Sequence, residues 1–107
     1  MIPAPVRSAA TGVTGVDIAA PGRGWINVDF AVQDKRKLRL MVVAEKQKAQ
    51  LLAGRQLPGE PLVRIDIQGP ETASHSARVT QGNYFLAFLN RESTSFEVVY
   101  RTSFRGF

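Results

Sequence analysis

The feature that most restricts this chain is the strict alternation of apolar and polar side chains in short runs broken by turn residues. In WINVDFAVQ, Ile26, Val28, Phe30 and Val32 share one parity, and Asn27, Asp29 and Gln33 share the other. Successive side chains of a strand point to opposite faces, so this run is a strand with one dry face and one wet face. PLVRIDIQGP repeats the pattern: Val63, Ile65 and Ile67 point one way, Arg64, Asp66 and Gln68 the other, and Gly69-Pro70 ends it. FEVVYRTSF does so again, with Phe96, Val98, Tyr100, Thr102 and Phe104 on one side and Glu97, Arg101 and Ser103 on the other. No long stretch carries a helical stripe instead.

Two further runs are apolar on both faces. NYFLAFLNR sets Tyr84, Leu86 and Phe88 against Phe85, Ala87 and Leu89. KLRLMVVAE turns Leu38, Leu40 and Val42 inward, with Met41 and Val43 opposite them. A strand apolar on both faces is central or covered. Short strands are also expected at 14–19 and 75–80. The stretch 45–54 stays open between two readings. A short strand ending near Leu52 is preferred, and a helix with Ala49, Leu52 and Ala53 on one stripe and Gly54 as its stop is the other.

Seven to eight strands at such spacing predict an all-β fold, an antiparallel β-sandwich of jelly-roll or related type. Residues 13–107 form the single domain, and 1–12, with Pro3 and Pro5, read as a flexible leader that can end in a first edge strand. Strands 24–33 and 37–44 are expected to pair as a hairpin across the charged turn 34–37. Residues 82–104 are expected to form a terminal β-hairpin, its register fixed by Asn90, a residue that suits the start of a turn.

The string RVTQGNYFLAFLNRESTSFEVVY resembles the closing segment of GOLD-like (Golgi dynamics) β-sandwich domains and of small jelly-roll domains common in bacterial extracytoplasmic proteins. The resemblance rests on Gly82, Tyr84, Leu86, Phe88, Asn90 and the strand 96–104. It implies a non-catalytic module for protein interaction, cargo recognition or sugar binding, in an extracytoplasmic or membrane-associated setting. It supplies no catalytic motif. The chain lacks the dense Asp/Asn cluster of calcium-dependent relatives.

The chain has no cysteine, which removes disulfides, thiolate nucleophiles and cysteine-based zinc sites. Its single histidine, His75, lies between Ser74 and Ser76, and reads as a surface residue with no G-x-S-x-G elbow to serve. Asp17, Asp29, Asp34 and Asp66 are dispersed, without the D-x-D-x-D-G spacing that calcium requires. Gly12, Gly15, Gly22 and Gly24 precede no helix, so turn and bulge roles fit them better than phosphate binding. No enzyme, cofactor or metal is expected. No run reaches ~18 apolar residues, so no membrane-spanning helix is expected, and the start of the chain lacks a signal-peptide pattern.

The remaining signals are for binding. A net charge of +5 raises anionic partners, although a solvated basic surface is the ordinary reading. Lys35, Arg36, Lys37 and Arg39 are the densest basic cluster and the candidate for an anionic polymer. Trp25 opens a strand after Pro21-Gly22-Arg23-Gly24. It is either a cap on one end of the core, the more usual role, or an exposed platform for a carbohydrate. Phe104 and Phe107 are expected to leave an apolar patch suited to a partner or to self-association. A protein partner is the first expectation, with carbohydrate through Trp25 and a polyanion through 35–39 as alternatives.

Overall fold

The computed structural model describes residues 5–8, 12–32 and 35–107. The expected leader falls partly outside them, at 1–4 and 9–11, as do residue 33, the last of the expected strand 24–33, and residue 34, the first of the charged turn. Eight strands and one helix follow in order: β1 (Pro5–Ser8), β2 (Val13–Ala20), β3 (Gly24–Val32), β4 (Lys37–Ala44), α1 (Glu45–Leu52), β5 (Val63–Gln68), β6 (Glu71–Val79), β7 (Gly82–Asn90) and β8 (Phe96–Gly106). They form two four-stranded sheets, β1-β8-β3-β6 and β2-β7-β4-β5, antiparallel throughout. This is the strand order of a jelly roll, two interlocked Greek keys.

The alternation read from the sequence is the alternation of the core. Ile26, Val28, Phe30 and Val32 from the first sheet meet Leu38, Leu40, Val42, Leu86 and Phe88 from the second, all at most 2% exposed. Phe88 and Tyr100 face each other across the layers with ring centroids 5.5 Å apart. β7 and β8 are both interior strands, as the apolar character of NYFLAFLNR requires.

Both expected hairpins are corrected. β3 pairs with β6 and β8, while β4 pairs with β5 and β7. β7 and β8 also lie in different sheets. Among consecutive strands only β4 and β5 are hydrogen-bonded to each other. The physical reason is that alternation fixes which face is dry and leaves the pairing partner open. Sheets pack ~10 Å apart, and a connection of four or five residues at ~3.3 Å each spans that gap as readily as it turns back in one sheet. Asn90 does fix a turn, though not a hairpin. Its side-chain oxygen accepts from the Glu92 amide at 2.7 Å, and its amide nitrogen donates to the Thr94 carbonyl at 2.8 Å. Within the expected leader, Pro5–Ser8 pairs with β8 as an edge strand.

The preferred strand reading of 45–54 is also corrected, since residues 45–52 are helical. EKQKAQLL is made of good helix formers. The Gln47 side-chain oxygen accepts from the Ala44 amide at 3.1 Å, and Gly54, at φ +70°, closes the last turn. Leu51 then seats on Met41, Val43, Phe85 and Ala87, a second apolar cluster on the outer face of the second sheet. That cover explains why β4 and β7 are apolar on both faces.

Candidate functional site

The outer face of the first sheet carries the polar parity of β3, β6 and β8. Along its middle this face is closed on itself. Asp29 accepts from the Ser74 hydroxyl and from Arg101 at 3.0 and 3.3 Å, and Ser76 donates to Asn27 at 2.6 Å. These bonds, first Ser74 and then Arg101, hold the Asp29 carboxyl below its ordinary value. On the other sheet the Arg39 guanidinium does the same to Asp66, at 2.7 Å. A lowered folded-state pKa means that the unfolded chain takes up more protons as the pH falls. Stability from both groups is therefore complete above the normal carboxylate range and is lost as the pH falls from that range through their lowered folded-state values. Both carboxylates are exposed, so the effect is modest. Replacing Asp29 with Asn should flatten the acid limb of a melting-temperature profile, whereas parallel profiles would show that the network adds nothing.

At the Gly24 end of the sheet the pattern changes. Trp25 projects outward between Arg78 on β6 and Arg105 on β8, its register partners. It is 37% exposed. The Phe107 ring meets the indole edge-on, with centroids 6.2 Å apart and planes at 88°. The Arg78 guanidinium lies over the Phe107 ring, 5.0 Å from its centroid. The Phe107 amide donates to the Arg23 carbonyl at 3.3 Å, which fixes the end of the chain beside the 21–23 turn. Open concavities of about 290–460 Å³ are found on several parts of the surface, and the one here, about 460 Å³, is lined by Arg23, Leu62, Arg78, Val79, Thr80, Tyr84 and Phe107. Its floor is stiff: the Tyr84 hydroxyl donates to the Thr80 carbonyl at 2.9 Å and accepts from the Thr80 amide at 3.2 Å.

Gly24 sets the geometry of this end. A Cβ there would lie 2.3 Å from the Arg105 carbonyl oxygen and 2.7 Å from the Phe104 ring. Only a residue without a side chain lets β8 run this close, and β8 carries Arg105 and leads into Phe107. Gly24→Ala should cost about 1–3 kcal/mol, the usual penalty for overpacking. The readout is thermal unfolding, and an unchanged melting temperature would mean that the close approach is not needed.

The sequence-derived candidates are placed as follows. Trp25 faces outward on β3 and is not a cap on the core. Phe104 and Phe107 do not form one patch. Phe104 points inward and packs against the core, while Phe107 is 67% exposed. The alternation that puts Phe104 in line with Val98 and Tyr100 already held that information. The basic cluster is split up. Arg39 is bound to Asp66, and Arg36 donates to the Thr94 hydroxyl at 2.7 Å and lies 5.8 Å from the Phe96 ring centroid. Lys35 and Lys37 are exposed at the opposite end from Trp25. His75 sits on β6, which begins at Glu71, earlier than the expected strand 75–80, and its ring is stacked on Phe30 at 6.1 Å. Arg23, Leu62 and Arg78 were not singled out from the sequence, because strand register brings Arg78 beside Trp25 and the fold of the 21–23 turn and the β4–β5 connection brings Arg23 and Leu62.

Among the described residues, no group of three or more His, Cys, Asp or Glu is placed to hold a metal ion, and no helix is long and apolar enough to cross a membrane. No family model and no curated protein sequence matches the chain. Among solved structures, the crystal structure of PirA is similar, with a TM-score of 0.65 and 16% sequence identity over 96% of this chain and 94% of that chain. At that identity the likeness shows the fold alone.

Proposed function

We propose that this jelly roll is a non-catalytic interaction module that binds a protein partner with its Gly24 end. One observation carries the reading. Of the four large apolar side chains most exposed among the described residues, Trp25, Leu62 and Phe107 gather at this end, and Leu52 is the fourth. They are interleaved with Arg23, Arg78 and Arg105. Lysine and carboxylate side chains are missing from the lining of the concavity. Cores of protein interfaces are enriched in aromatic residues and Arg and depleted of Lys, Asp and Glu, and their binding energy concentrates on Trp and Arg. The groups that could otherwise do chemistry have structural partners: Asp29 and Asp66 in ion pairs, His75 against Phe30.

The test is selection of binders from a displayed random-peptide library against the chain, with a Trp25→Ala, Phe107→Ala double variant as counter-screen. Peptides that bind the chain and lose the variant support the reading. Peptides that bind both equally would contradict it.

A second reading has its own observation. The indole and the Phe107 ring meet at 88°, a corner beside the concavity where the C–H face of a sugar could pack on one ring. Retention on a glycan array that Trp25→Ala abolishes would favour carbohydrate over protein. Polyanion binding through 35–39 has less support, since Arg36 and Arg39 already have partners and Lys35 and Lys37 remain.

A further inference from the structure

We infer that the partner segment docking on the Gly24 end is acidic, a stretch of peptide with carboxylates set beside apolar side chains. The inference rests on the preceding reading and adds the chemistry of the occupant. Its ground is where the ion pairs are. Arg7, Arg39, Lys48, Arg91 and Arg101 are each within 4 Å of a carboxylate, and none of them lines the concavity at this end. Of the cations with no carboxylate at that distance among the described residues, Arg23, Arg78 and Arg105 are the ones set around the exposed rings of Trp25 and Phe107. The polar middle of the same sheet face is satisfied by Asp29, while Trp25, four residues back along β3, has an arginine as register partner on each side.

Arg78 shows how such a site would work. Its guanidinium lies over the Phe107 ring, 5.0 Å from the centroid, where the ring face attracts a cation. A contact with a ring consumes none of the guanidinium N–H groups, which a carboxylate binds in a two-pronged geometry. The ring therefore pre-positions a donor pair at the rim of an apolar concavity. A purely charged polymer would match the arginines and leave Trp25, Leu62 and Phe107 uncovered. An acidic peptide with apolar side chains matches both.

The peptide selection described above also tests this inference separately. Enriched sequences should be rich in Asp and Glu next to Leu, Phe or similar residues. Their affinity should fall about tenfold or more on Arg78→Glu or Arg105→Glu, each variant checked for native circular dichroism. Raising salt from roughly 50 to 500 mM should weaken binding, since exposed ion pairs are screened. Arg64→Glu, an exposed charge reversal on β5, should leave it unchanged. Peptides that depend on Trp25 but carry no acidic bias and ignore Arg78→Glu would overturn the inference while leaving the docking end intact. Failure to enrich any peptide that depends on Trp25 would overturn both. Tighter binding of a heparin oligosaccharide or a single-stranded oligonucleotide that needs Arg78 would overturn the acidic peptide in favour of a polyanion. Concentration-dependent dimerisation lost on Trp25→Ala would overturn it in favour of a second copy of the chain.

Discussion

Truncating Phe88 to Ala is expected to remove about 3–5 kcal/mol of stability, the usual cost for a fully buried phenylalanine. Phe88 is fully buried on the inner face of β7, between β2 and β4, and opposes Tyr100 across the two layers. It touches both sheets from an interior strand, so the surroundings have little room to collapse into the cavity. Domains of this size have roughly 5–15 kcal/mol in total, so the loss is a large share. Thermal unfolding followed by circular dichroism should show a melting temperature lower by roughly 12–40 °C, given ~4–8 °C per kcal/mol in small domains. A loss under about 1 kcal/mol would mean that the two inner faces do not form one packed core.

Trp25→Ala should do the reverse, with a small effect on folding and a large one on binding. Its indole is already 37% exposed and its main described contact is the edge of the Phe107 ring. Losing that contact costs on the order of 0.5–1.5 kcal/mol. At the centre of an interface an aromatic anchor is worth ~2 kcal/mol or more, so affinity for a selected peptide should fall by roughly 30-fold or more. The pair of variants separates two jobs: Phe88, on the inward parity of β7, holds the fold, and Trp25, on the outward parity of β3 in the other sheet, is the proposed anchor for the partner.

Much of the fold was legible because burial is written at period two. The dry faces of β3, β5 and β8 follow directly from Ile26 to Val32, Val63 to Ile67 and Phe96 to Tyr100. The two-faced apolar pattern of β4 and β7 correctly implied interior strands, and α1 with Leu51 accounts for their second dry face. Pairing was not legible, because a four- or five-residue connection serves a hairpin and a crossover equally well. The helix was masked because its one buried apolar anchor, Leu51, makes no stripe by itself. The proposed binding end was half legible. Trp25 and Phe107 were visible as aromatic residues beside loops, but Arg78 reaches them through β3–β6 register and Leu62 through the β4–β5 connection, and neither relation leaves a local signal.

The most direct measurement uses the chain's single tryptophan as its own reporter. Titration with a selected peptide should change the emission of Trp25 saturably. Backbone amide shifts in the same titration should cluster at 23–25, 78–80 and 105–107. Saturable binding that leaves Trp25 emission unchanged, with shifts gathered on the helix-covered face of the other sheet, would contradict the assignment of the Gly24 end as the binding surface.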